Sequence, residues 1–107
     1  GAARYEEAVS HLEKALEIDR RAGFYRGIAD DLAALGRCHA GLRNDAAAVA
    51  SWEQSVRIYA LLGMEEKVRS TMVLLEEAAG RSNLDIDLTR TLAEHWLKGE
   101  TAESLCD

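Results

Sequence analysis

Adding 40 to a position in this sequence repeatedly returns the same residue. Ala8 is echoed by Ala48, Val9 by Val49, Glu13 by Glu53, Ile18 by Ile58, Gly23 by Gly63, Leu35 by Leu75 and Asp45 by Asp85. Other positions keep only apolar character: Leu12 with Trp52 and Leu92, Leu16 with Val56 and Trp96, Ile28 with Val68, Leu32 with Met72. The echo needs no gap, so one structural unit is expected to recur in register. A fixed period of this length is the mark of stacked repeats, in which each unit buries its apolar faces against its neighbours.

Each unit reads as two helices. In the first, Tyr5, Ala8, Val9, Leu12, Ala15 and Leu16 recur at steps of three and four, which places them on one helix face. Ile28, Leu32, Leu35 and His39 form the stripe of the second, Ala48, Val49, Trp52, Val56 and Tyr59 that of the third, and Val68, Met72 and Leu75 that of the fourth. Leu88, Leu92 and Trp96 are the expected buried stripe of the fifth. Helices are expected at about 4–22, 24–40, 45–62, 65–79 and 85–98, followed by a short C-terminal cap. Gly23 and Gly63 stop two of them, Gly41 offers a left-handed C-cap, and Asn44 or Asp45 an N-cap oxygen. Gly80-Arg81-Ser82-Asn83 repeats that turn chemistry, with Ser82 and Asp85 as a capping box. Short turns make neighbours antiparallel, so the expected fold is all-α, with helical hairpins stacked as an α-solenoid. The absence of proline and the scarcity of aromatic residues agree with helix rather than sheet. The whole chain, 1–107, reads as a single repeat domain. Five helices are two and a half units, and with no initial Met the chain reads as a piece of a longer array. An apolar face left by the missing neighbour would favour self-association through the solenoid ends.

Composition narrows the partners. Thirteen Lys and Arg against 19 Asp and Glu give a formal charge of -6, which opposes binding to a phosphate backbone. No apolar run approaches the roughly 20 residues that cross a bilayer, and no signal peptide opens the chain. Cys38 and Cys106 lie far apart and match no ligand spacing, which reads as reduced thiols in a cytoplasmic protein.

A search for chemistry returns little. The pairs Glu6-Glu7, Asp30-Asp31, Glu65-Glu66 and Glu76-Glu77 point in diverging directions on a helix and read as solvated faces. His11, His39 and His95 fall on separate helices without a partner at i+4 for a metal. Cys38 and His39 diverge as well, and Cys38 reads as a buried structural thiol. The glycines form no phosphate loop, and Trp52 and Trp96 sit on apolar stripes as core residues. The expectation is a chain that is not an enzyme and takes no cofactor or metal.

Leu32, Leu35-Gly36, Ala48 and Trp52, in that order, resemble the tetratricopeptide repeat in a 40-residue variety. Ala8, Leu12, Ala15 and Leu16 match in the preceding half-unit. That family places a small-residue pair where two helices cross closely and a large apolar residue beside it. Gly36 and Ala48 would let the backbones approach, and Trp52 would fill the adjoining volume. Glu76 in place of the expected Gly, Leu88 in place of the expected small residue, and His39 where Tyr is usual depart from the pattern. The resemblance implies a protein-interaction module binding a protein or peptide on its concave face. The implied lining is Arg26, Asp30, Ala33, Arg37 and Ala40 on the second helix, and Glu66, Ser70, Val73 and Glu77 on the fourth. Ala33 and Ala40 would leave room for a guest; the other reading is a solvated wall. Ala33 and Glu77 do not suit the family's clamp for a C-terminal carboxylate. The wording from Tyr5 to Gly23 also resembles the repeat arms of bacterial signal-transduction ATPases and antibiotic-regulatory transcription factors, which implies a sensor arm as the alternative.

Overall fold

The computed structural model describes residues 1–99. The expected C-terminal cap and Cys106 lie outside them. Among the described residues five helices follow one another: α1 (Ala2–Ala22), α2 (Tyr25–Gly41), α3 (Asp45–Leu61), α4 (Glu65–Ser82) and α5 (Asp87–Leu97). No strand occurs among the described residues. The molecule measures 49 × 35 × 19 Å, so its thin dimension is about two helix diameters.

The turns are short because each carries a residue in the left-handed region, where the chain can leave a helix within one step. Gly23 (φ 67°) and Gly63 (φ 73°) do this after α1 and α3, as their spacing suggests. After α2 and α4 the residues are Arg43 (φ 62°) and Asn83 (φ 53°). Gly41 and Gly80, expected as the turn glycines, are helical instead. Gly41 has a different use: a Cβ there would fall inside the Tyr5 ring, so its bare backbone seats α1 against the end of α2. The Asn44 side chain caps α3, accepting from the Ala47 amide at 3.2 Å.

α4 runs a turn further than its apolar stripe because Arg81 and Ser82 are held by Asp45 at the start of α3. Arg81 Nη2 and Ser82 Oγ donate to its carboxylate at 2.9 and 2.8 Å. Ser82 is thereby unavailable for the expected capping box with Asp85. Asp85 instead accepts from the Asp87 amide at 2.9 Å, an Asx-type turn that delays α5 to Asp87. This delay changes the register of α5. Leu88 is 73% exposed and Leu92 42%, whereas Ile86, Thr89 and Ala93 are buried and Trp96 is half-buried. The gapless echo therefore fails after α4. Thr89 and Ala93 take the places of Ala48 and Trp52, one residue beyond the 40-residue spacing.

α3 is the central element, packed on α2, α4 and, more lightly, α5; α1 packs on α2. The main core joins Ala29 and Ala33 of α2, Trp52, Val56 and Tyr59 of α3, Val68 and Leu75 of α4, and Ala93 of α5. A smaller cluster of Leu16, Ile28, Leu32 and Leu35 closes α1 on α2 and meets the main core through Ile58. Gly36 and Trp52 cross where the repeat pattern places them: a Cβ on Gly36 would collide with the indole. Gly80, also helical, faces open space.

Gly36→Ala is therefore expected to destabilise by about 1–3 kcal/mol through overpacking. Gly80→Ala is expected to stabilise by about 0.5–1 kcal/mol through helix propensity. Urea unfolding of both variants checks the pair; equal effects would contradict the close crossing.

Candidate functional site

Three polar side chains on one face of α3 reach across to α2. Trp52 Nε1 donates to the Ala33 carbonyl at 3.0 Å, Ser55 Oγ to the Ala29 carbonyl at 3.1 Å, and the Tyr59 hydroxyl to Asp30 Oδ1 at 2.5 Å. Trp52, Ser55 and Tyr59 are buried, so these bonds satisfy groups that would otherwise be desolvated for nothing. Burial, and then the hydrogen bond to Asp30, push the Tyr59 hydroxyl well above the ordinary tyrosine range; the nearby Arg37 charge opposes this. The side chains of the expected α2 lining thus divide. Asp30 and Arg37 come together around Tyr59. Ala33 is buried beneath the α2–α3 contact and does not open a notch, Ala40 is half-buried against the main core, and Arg26 is exposed.

On α4, Glu66 is exposed and the Ser70 hydroxyl turns back to the Lys67 carbonyl of its own helix at 3.3 Å. Val73 and Glu77 line a cleft of about 420 Å³ between α4 and α5. α2 and α4 both pack on α3 and have little contact with one another, so the two expected rows do not form a single packed wall. The far side of the cleft is α5, which contributes Ala93, Glu94 and Leu97. Arg90 spans it, donating to Glu76 at 2.7 and 3.2 Å and to Asp87 at 2.6 Å. These α5 residues were not among the expected lining, because the gapless echo turns Leu88 and Leu92 inward. The signal present in the sequence is Ile86-x-x-Thr89-x-x-x-Ala93, a second stripe of small and apolar residues one position out of phase.

A second electrostatic feature lies where α1 meets α2. Asp31, expected on a solvated face, has Oδ2 buried with no donor to satisfy it. The Asp19 carboxyl of α1 is its neighbour across the α1–α2 seam. Burial first, then the neighbouring Asp19 carboxyl, then the charge of Asp30 push the Asp31 carboxyl up from 3.8 to about 6. The hint in the sequence is that Asp19 occupies the position of Tyr59 one unit earlier, on the inward side of its helix. Cys38 is buried as a free thiol, as read from the sequence. No three His, Cys, Asp or Glu side chains converge on a metal position among the described residues, and no described helix is long and apolar enough to cross a membrane.

No family model, curated protein or solved structure matches the chain. The arrangement of its side chains is therefore the ground for any functional reading.

A carboxyl whose folded pKa lies above its unfolded value stabilises fully below the unfolded pKa and loses that contribution as pH rises through the folded one. For Asp31, stability is expected to rise by about 1 kcal/mol as pH falls from about 7.5 to about 5, after allowance for solvent screening. Asp31→Asn should be the more stable protein at neutral pH and should lack this rise. Urea midpoints of both proteins against pH check it; a wild-type midpoint that tracks that of Asp31→Asn at every pH would contradict the upward shift of the Asp31 carboxyl.

Proposed function

We propose that the chain is a non-catalytic protein-interaction module of the tetratricopeptide-repeat kind, which lends a rigid helical surface to a larger assembly. The observation that carries this reading is the open cleft between α4 and α5, whose walls include Val73 and Glu77 of the expected lining. Apolar surface kept out of the core beside a charged rim is the chemistry of a recognition site. The close crossing of Gly36 and Trp52 supports the repeat assignment, since it falls on the residues that carry the resemblance. The polar groups nearest to reactive character are engaged in structure: Tyr59 with Asp30, Thr89 with Glu53, Arg90 with Glu76. The buried free thiol of Cys38 suits a reducing compartment such as the cytoplasm.

A photo-crosslinking side chain placed at Val73, with Arg43 in the α2–α3 turn as the control position, tests the proposal in lysate of the source cells. The expected result is a saturable protein adduct from position 73, displaced by excess unlabelled chain, with little from position 43. Adducts that fail to saturate, or that form equally at both positions, would contradict an interaction surface on this side.

A further inference from the structure

The cleft between α4 and α5 stands where the preceding hairpin keeps its largest core side chain. Its α4 wall, Met72, Val73, Glu76 and Glu77, lies 40 positions after Leu32, Ala33, Gly36 and Arg37, the stretch of α2 against which Trp52 packs. Across from it, in the place of Trp52 once the shifted register of α5 is taken into account, is Ala93. An indole has been exchanged for a methyl group, and Glu76 stands where Gly36 let the helices close. The result is that α4 and α5 touch little, and a volume of about 420 Å³ stays open between them. That volume lies at the small end of the range for ligand sites and is roomy for one large side chain.

The rim identifies what such a side chain is attached to. Glu76 is neutralised by Arg90; Glu77 and Glu94, on opposite walls, form no ion pair among the described residues, the charge of Arg81 reaching Glu77 while its guanidinium is bonded to Asp45. Covering two carboxylates with an apolar or acidic surface would desolvate them with no cation in contact with either, which is unfavourable. A second copy of this chain, itself carrying a charge of -6, is a poor match for the same reason.

We propose that the α4–α5 cleft is a socket for a single aromatic side chain presented by a basic helical segment of a partner protein. The aromatic ring enters over Ala93 and replaces the missing indole, while lysine or arginine residues one turn to either side pair with Glu77 and Glu94. The inference rests on the reading of the chain as an interaction module and adds the chemistry of the partner. It predicts recognition by one anchor in a pocket with a charged rim, the pattern of a small hot spot.

The test uses a fluorescein-labelled helical peptide of about 16 residues, Lys- and Ala-rich with one central Trp, titrated with the chain by anisotropy. Two further peptides replace the Trp by Ala or every Lys by Glu. The expected result is saturable one-to-one binding, weakened at least about tenfold by either peptide change. Glu77→Lys with Glu94→Lys should weaken it similarly, and Glu6→Lys with Glu7→Lys, at the far end of α1, should not. Ala93→Phe, which plugs the socket from within, should abolish binding. Should Ala93→Phe fail to fold, Val73→Arg at an exposed position obstructs the same mouth and should weaken binding by a like factor. Equal binding of the Trp and Ala peptides, equal effects of the two charge reversals, or binding that survives both socket variants would overturn the proposal. So would sedimentation showing that the wild-type chain self-associates and that Val73→Arg prevents it. A partner crosslinked from position 73 whose binding survives Ala93→Phe or Val73→Arg would leave the interaction module standing and remove the socket.

Discussion

The indole of Trp52, laid against the bare backbone of Gly36, is the contact on which the rest of the fold depends. Close approach of two helices needs a residue without a side chain on one of them and a large apolar group on the other to occupy the space alongside. The indole N–H would be stranded by that burial, and it is satisfied by the Ala33 carbonyl, which as an interior helical carbonyl also serves the α2 ladder. Ser55 and Tyr59 repeat the device further along the helix pair. An interface of apolar side chains alone tolerates a shift along the helix; three directed hydrogen bonds do not. The α2–α3 hairpin therefore has one register, and the remaining helices are seated on its faces.

Distance from this hairpin grades the structure. α1 packs on α2 through a small apolar cluster, and the burial that raises the Asp31 carboxyl beside Asp19 lies at that seam. α5 touches α3 at Thr89 and Ala93 but stands off from α4, tied across the gap by Arg90. Ion pairs this exposed contribute little to stability. The surfaces with spare apolar area and unpaired charge are thus at the two edges of the slab, and the functional reading places recognition at one of them.

The helices and their order were legible because the stripe of apolar residues at steps of three and four survives in every unit. The close crossing was legible too, since Gly36, Ala48 and Trp52 are the residue types the packing requires. The inward face of the last helix was not. An Asx turn at Asp85 adds one residue to the loop, and on a helix one residue is a rotation of about 100°, enough to bring Leu88 and Leu92 to the surface. The same shift hid the α5 wall of the cleft, so that of the expected lining Val73 and Glu77 meet there while Ala33 is buried elsewhere. Asp31 escaped for another reason: helical periodicity puts it beside the solvated Asp30, and burial of one of its oxygens depends on where α1 crosses, which no local pattern encodes.

Native-state hydrogen exchange reads this gradation directly, because each amide reports the free energy of the opening that exposes it. The slowest exchange should be found in the facing stretches 32–36 of α2 and 49–59 of α3, at the level of global unfolding. Amides in the middle of α1 and of α5 should exchange by smaller openings, at least about tenfold faster. Protection in α1 or α5 equal to that of α3, or loss of the α2–α3 amides first, would contradict the central role of the Trp52 crossing.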